Sequence, residues 1–121
     1  MTFTTVATIA AAAATLLGLG FGFAPRFMLD QWGLTHEPPT VFLSRRIAAI
    51  YLGLAVLFII GRDAPASRLR DAICIGLAIA LTLLALTGII ERAARRVTAG
   101  IAVSIIVEIF LAASFTWVAT R

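Results

Sequence analysis

One acidic residue stands apart from the other five. Glu108 interrupts a long apolar run near its middle, with Ser104 four residues before it. A charged carboxylate at the centre of a bilayer costs roughly 2.5–3.5 kcal/mol on insertion scales, and such groups face a bundle interior or a cavity. The neutral acid is the favoured form at that depth. Three readings are open. The first is a protonated structural Glu, hydrogen-bonded to Ser104, Thr82, Thr87 or Tyr51. The second is a proton- or substrate-binding site, and the third a contact between subunits. The structural reading comes first. Arg45 is the candidate ionic partner, because it begins a ridge with Ala49 and Gly53 and enters from the same side of the membrane. Arg45 lies about 7 Å into its helix and Glu108 about 16 Å into its own. Two long side chains just close that gap, although Arg45 prefers to point back toward the interface.

Other reactive groups offer less. His36 is the single His and falls in a loop, so no span supplies an imidazole for haem iron or chlorophyll magnesium. HExxH, P-loop, GxGxxG and Ser-His-Asp patterns are absent. Gly18-Leu19-Gly20-Phe21-Gly22 lies inside a span and reads as packing. The single Cys74 excludes an intrachain disulfide and any multi-Cys metal site; it reads as a small apolar residue. A membrane enzyme acting on lipid or quinone would have only Arg45, Arg46, His36 and Glu37 to work with. The expectation is no catalytic residue, no cofactor and no metal.

These residues need elements to position them, and the composition says which. The chain has 121 residues, 61% hydrophobic and 13% charged, with a mean hydropathy of +1.04. Soluble domains are about half apolar and about a quarter charged. That difference excludes intrinsic disorder, a disulfide scaffold and an ordinary cytosolic enzyme, and the length fits a single transmembrane domain over residues 1–121. All ten basic residues are Arg, and the net charge is +4. In a soluble protein a pI near 11.1 would suggest nucleic acid. Here the arginines fall between apolar runs, where membrane-flanking cations belong. The lipid bilayer is therefore the expected partner, and nucleic acid is not.

Four windows are nearly free of charge: about 2–24, 40–61, 72–90 and 97–120, the last broken by Glu108. A helix needs about 20 residues to cross a hydrocarbon core of about 30 Å. The uninterrupted apolar part of the second window, from Ile47 to Gly61, would span only about 22 Å. Pro38-Pro39-Thr40 is a natural start, so that helix begins near Thr40 and carries Arg45 and Arg46 in its early turns. No Pro separates the third and fourth windows, but one helix over 72–120 would be about 74 Å long. The chain must turn within residues 91–96, with Thr98 as the expected cap of the last helix. Residues 25–33, with Pro at the start and Gly at the end, predict a short interfacial helix displaying Phe27, Met28 and Trp32. Phe21, Phe23, Phe27 and Trp32 at one boundary, and Phe115 and Trp117 near the other, read as aromatic belts. The expected fold class is all-α: an integral membrane four-helix bundle with a short interfacial helix in the first loop.

The first 25 residues carry no charged side chain, so the positive n-region of a secretory signal is missing. An uncleaved first span is expected. Four spans put both termini on one side. That side holds Arg62, Arg68, Arg70 and Arg121; the other holds Arg26, Arg45, Arg46, Arg92, Arg95 and Arg96. The excess favours loops one and three inside and the termini outside.

Helices in lipid associate through small residues. Ridges at i, i+4 spacing occur as Ala10, Ala14, Gly18 and Gly22; as Ala49, Gly53 and Gly61; as Ala72, Gly76 and Ala80; and as Gly100, Ser104, Glu108, Ala112 and Thr116. The series Pro25, Gly33-Leu34, Arg45-Arg46-Ile47 and Tyr51-Leu52-Gly53-Leu54 resembles small bacterial four-helix membrane proteins broadly related to the DoxX type. That resemblance covers most of the chain, implies the four-helix fold and transfers no catalytic residue. All-Arg basic usage fits a GC-rich bacterial genome, hence a multi-pass protein of the bacterial inner membrane. The functional expectation is a non-catalytic accessory or structural subunit, packing against other membrane subunits or its own copies. The alternative is a small proton-coupled transporter using Glu108. Small multidrug transporters carry their essential Glu in the first helix, which has none here.

Overall fold

Local chemistry sets each helix boundary in the computed structural model, which describes residues 2–120. Arg121, counted above with the terminal-side arginines, lies outside the described residues. Thr2 opens α1 (Phe3–Phe23) by accepting a hydrogen bond from the Thr5 backbone. Pro25, at a first-turn position where its missing N–H costs nothing, starts the short α2 (Pro25–Gln31). Gly33 ends it at φ 71°, with Gly33 N donating to Asp30 O and Leu34 N to Leu29 O. This paired closure needs a left-handed residue, which is why Gly sits there. Helix α3 (Pro38–Gly61) uses its two prolines as a first turn, beginning at Pro38 rather than Thr40.

Helix α4 (Arg68–Ala93) is longer than the apolar window alone suggests. Ser67 accepts from the Arg70 backbone and adds a polar first turn before Ala72. The turn expected within 91–96 is present. Arg95 adopts φ 59° while Arg95 N bonds Arg92 O and Arg96 N bonds Glu91 O, the same closure that ends α2 but without a Gly. Glu91 and Arg96 add a side-chain ion pair across it. Helix α5 (Ile101–Ala119) begins later than expected, and no side chain caps it. Thr98 is engaged elsewhere: its hydroxyl donates to Gln31 O (2.6 Å) and its amide to Trp32 O (2.9 Å), tying the third loop to α2.

The architecture is all-α, with five helices, four of them long and apolar enough to cross a membrane. Helix α1 packs along α3 and α4 along α5; α1 also meets α5, and α2 leans on α1 and α3. The buried positions of α3 are Ser44, Ala48, Ala55 and Phe58, with Tyr51 half-buried between them. Their alternating spacing of three and four is the signature of long, shallow helix crossings. At the end holding the start of α1 and the end of α5, Phe3, Val6, Phe58, Cys74, Leu111 and Phe115 bring the four long helices into one core. Phe115 is 1% exposed and stacks on Phe58 at 5.7 Å, so it belongs to this core and not to an aromatic belt.

The small-residue ridges divide. On α1 the ridge faces inward: Ala10, Ala14 and Gly18 are buried, and a Cβ on Gly18 would lie 2.7 Å from Leu52 of α3. On α3 and α4 the ridges face outward. Ala49, Gly53, Ala72, Gly76 and Ala80 are exposed, and a Cβ on Gly53 or Gly76 would meet nothing within 4 Å. The residues that pack α4 are Cys74, Ala78, Leu81, Ala85 and Gly88, roughly a third to half a turn from Gly76 at about 100° per residue.

Candidate functional site

Glu108 and Ser104 lie one turn apart on α5, both half-buried. The Ser104 hydroxyl donates to Glu108 Oε1 at 2.5 Å. The second oxygen, Oε2, is buried without a hydrogen-bond partner among the described residues. Of the four hydrogen-bond partners expected for Glu108, the structure therefore selects Ser104. Thr82 and Thr87 donate to carbonyls of their own helix, Ala78 O and Leu84 O. Tyr51 is half-buried on α3. Its ring stacks nearly parallel to Phe21 of α1 at 6.5 Å, and Phe21 meets Trp32 at 5.5 Å. Three aromatic rings thus run from the end of α2 across α1 to α3. Trp32 and Met28 turn inward here, Met28 against Gly20, while Phe27 stays 60% exposed.

The Arg45–Glu108 ion pair is absent, which corrects the sequence expectation. Arg45 follows the buried Ser44 and therefore points about 100° round the helix from the packed stripe; it is exposed and forms no ion pair among the described residues. Arg46 lies over the Phe42 ring at 5.9 Å. The ion pairs among the described residues, His36–Asp30, Arg62–Asp63 and Glu91–Arg96, all sit in or beside the connections between spans. Among the described residues no three His, Cys, Asp or Glu side chains converge as a metal site would require. The chemistry open to Glu108, Ser104 and Tyr51 is proton binding and hydrogen bonding.

A second polar cluster, at the opposite end, was not anticipated. Arg70 lies over the Phe3 ring at 4.9 Å and donates to Ala64 O at 2.9 Å. Its Nε is buried without a hydrogen-bond partner among the described residues. Thr4 reaches the same connection by donating to Arg62 O at 2.8 Å. Ser67 three residues before Arg70 was the available signal, since that cap puts Arg70 on a helix facing the bundle rather than in a polar loop. Cys74, one turn further, is fully buried in the adjoining core.

Four long apolar helices and a short α2 define the class: a small multi-pass membrane protein. Comparison with known proteins adds no family, since no family model, no curated protein and no solved structure matches the chain.

Proposed function

We propose that the protein is a non-catalytic accessory subunit of a bacterial inner-membrane complex, and that it seats neighbouring helices on the outer faces of α3 and α4. What carries this reading is the position of the two small-residue ridges. Small residues let helix backbones approach closely in lipid, yet a Cβ added to Gly53 or Gly76 would meet no neighbouring helix within 4 Å. Only 22% and 17% of the most apolar windows of α3 and α4 are buried, against 39% for α1, so the two ridged helices offer the most free surface. The arginine distribution favours termini on the outer side. A relationship to the DoxX type belongs to the same proposal; it rests on residues 25–54 and assigns no activity. Purification from native membranes in mild detergent tests the reading. Association with other membrane subunits is expected, and a lone monodisperse chain contradicts it.

One observation favours a second reading, a small proton-coupled transporter: the buried, unpartnered Oε2 of Glu108. In proteoliposomes, Glu108→Gln then abolishes proton-coupled flux; undiminished coupled flux removes this reading.

A further inference from the structure

Helices α4 and α5 enclose a groove that faces away from the core. Two adjoining hollows of about 340 and 580 Å³ share Thr82, Thr116 and Thr120 and so form one continuous cleft. Its floor includes the buried Ala78, Ala85 and Ala112. Ile75, Ile79, Leu83, Leu86 and Ile109 stand along it as exposed, long side chains. The hydroxyls do not make the groove polar. Thr82 donates to Ala78 O (2.7 Å), Thr116 to Ala112 O (2.8 Å) and Thr120 to Thr116 O (3.0 Å), so each is satisfied within its own helix.

A cation stands over one end. Arg68 opens α4 and lies seven residues before Ile75 and fourteen before Thr82, which puts all three on one face of the helix. It is exposed and pairs with no carboxylate among the described residues. The half-buried Asp71 shares that face, three residues after Arg68 and four before Ile75, so a phosphate meets the cation only outside Asp71. The rise of a helix sets Arg68 about 10 Å above Ile75, and the groove runs a further 21 Å or so to Ile89. Half a hydrocarbon core is about 15 Å deep. The cation therefore stands at headgroup level, with the upper groove beneath it in the adjoining leaflet.

We propose that this groove is a binding site for an anionic phospholipid, with an acyl chain between α4 and α5 and the phosphate at Arg68. Shape and charge separate this occupant from a protein helix. Close helix packing requires small residues at the contact, and the branched rim of this groove keeps a backbone away while admitting a chain. Arg68 complements a phosphate at the depth where a phospholipid carries one. The small residues Ala72, Gly76 and Ala80 do not line the groove, but Ile79 and Leu83 on its rim lie seven residues after Ala72 and Gly76, so ridge and groove adjoin on α4. The readout at Trp117 on α5 keeps the two readings separable.

Trp117 lines the groove and provides the readout. The full chain carrying Trp32→Phe, which leaves Trp117 as the sole indole, is reconstituted into phosphatidylcholine vesicles. Increasing fractions of brominated-chain phosphatidylglycerol or brominated-chain phosphatidylcholine are then included. Half-maximal quenching is expected at an about fivefold lower fraction of the phosphatidylglycerol, the fold-change equivalent to about 1 kcal/mol for one cation near an anionic lipid. Arg68→Gln abolishes that preference, while Arg68→Lys retains it and shows that the helix start is intact. Ala113→Leu, filling the exposed side of the groove, weakens quenching by both lipids. Equal quenching by the two lipids in the Trp32→Phe protein means ordinary boundary lipid and overturns the proposal. A preference that survives Arg68→Gln also overturns it, as does absence of quenching because a second copy covers the groove.

Discussion

Gly18 and Gly76 are the same residue in equivalent membrane helices, and their surroundings are opposite. Gly18 lies against α3, where an added Cβ would meet Leu52 at 2.7 Å; Gly76 opens to space beyond 4 Å. The inner faces of the bundle are filled by this chain's own side chains, and the ridges of α3 and α4 are exposed, the feature on which the proposed accessory role rests. Small residues thus serve two ends here. On α1 they bring the chain's own helices together, and on α3 and α4 they leave a surface at which another backbone can approach.

The contrast can be broken from its inner side first. Phe115→Ala removes a ring stacked on Phe58 in the core joining all four long helices, and is expected to cost about 3–5 kcal/mol in stability. Denaturation of the detergent-solubilised protein reads that loss. Gly18→Leu overpacks the α1–α3 contact and is expected to cost about 1–3 kcal/mol. Gly53→Leu, by the same measurement, is expected to fall within about 0.5 kcal/mol of wild type. Equal losses at the two glycines would erase the distinction between inner and outer ridges.

Polar groups sharpen the comparison at the loop end. Ser104→Ala leaves both Glu108 oxygens without a donor, at an expected cost of about 1–3 kcal/mol. Thr98→Val removes the hydroxyl bond to Gln31 O that fastens the third loop to α2, worth about 1 kcal/mol. Arg95→Gly should act the other way. It relieves a non-Gly residue at φ 59° and is expected to stabilise by no more than about 1 kcal/mol, read as a raised Tm.

The four spans were legible because charge is confined to their ends, and Gly33 because a left-handed helix end has few alternatives. Glu108 and Ser104 were legible as neighbours because i, i+4 spacing fixes their proximity on one helix. What connects different helices was harder to read. Arg45 and Glu108 enter from the same side at compatible depths, but the buried stripe beginning at Ser44 turns Arg45 outward. The ridge rule found the packed face of α1 and the free faces of α3 and α4 alike, since spacing does not say whose backbone a small residue awaits. Thr98 has the chemistry of a cap, but Gln31, distant in sequence, claims its hydroxyl. Arg70 was missed because its loop-like neighbours concealed the Ser67 cap.

The outward ridges carry the central claim, and Gly76→Leu tests them most directly. The variant and the wild type are purified side by side from native membranes in mild detergent, and the mass and composition of each species are determined. Wild type is expected to travel with partner subunits while Gly76→Leu elutes as a folded chain without them. A wild-type protein that elutes alone, or a Gly76→Leu protein that keeps the full set of partners, would contradict it.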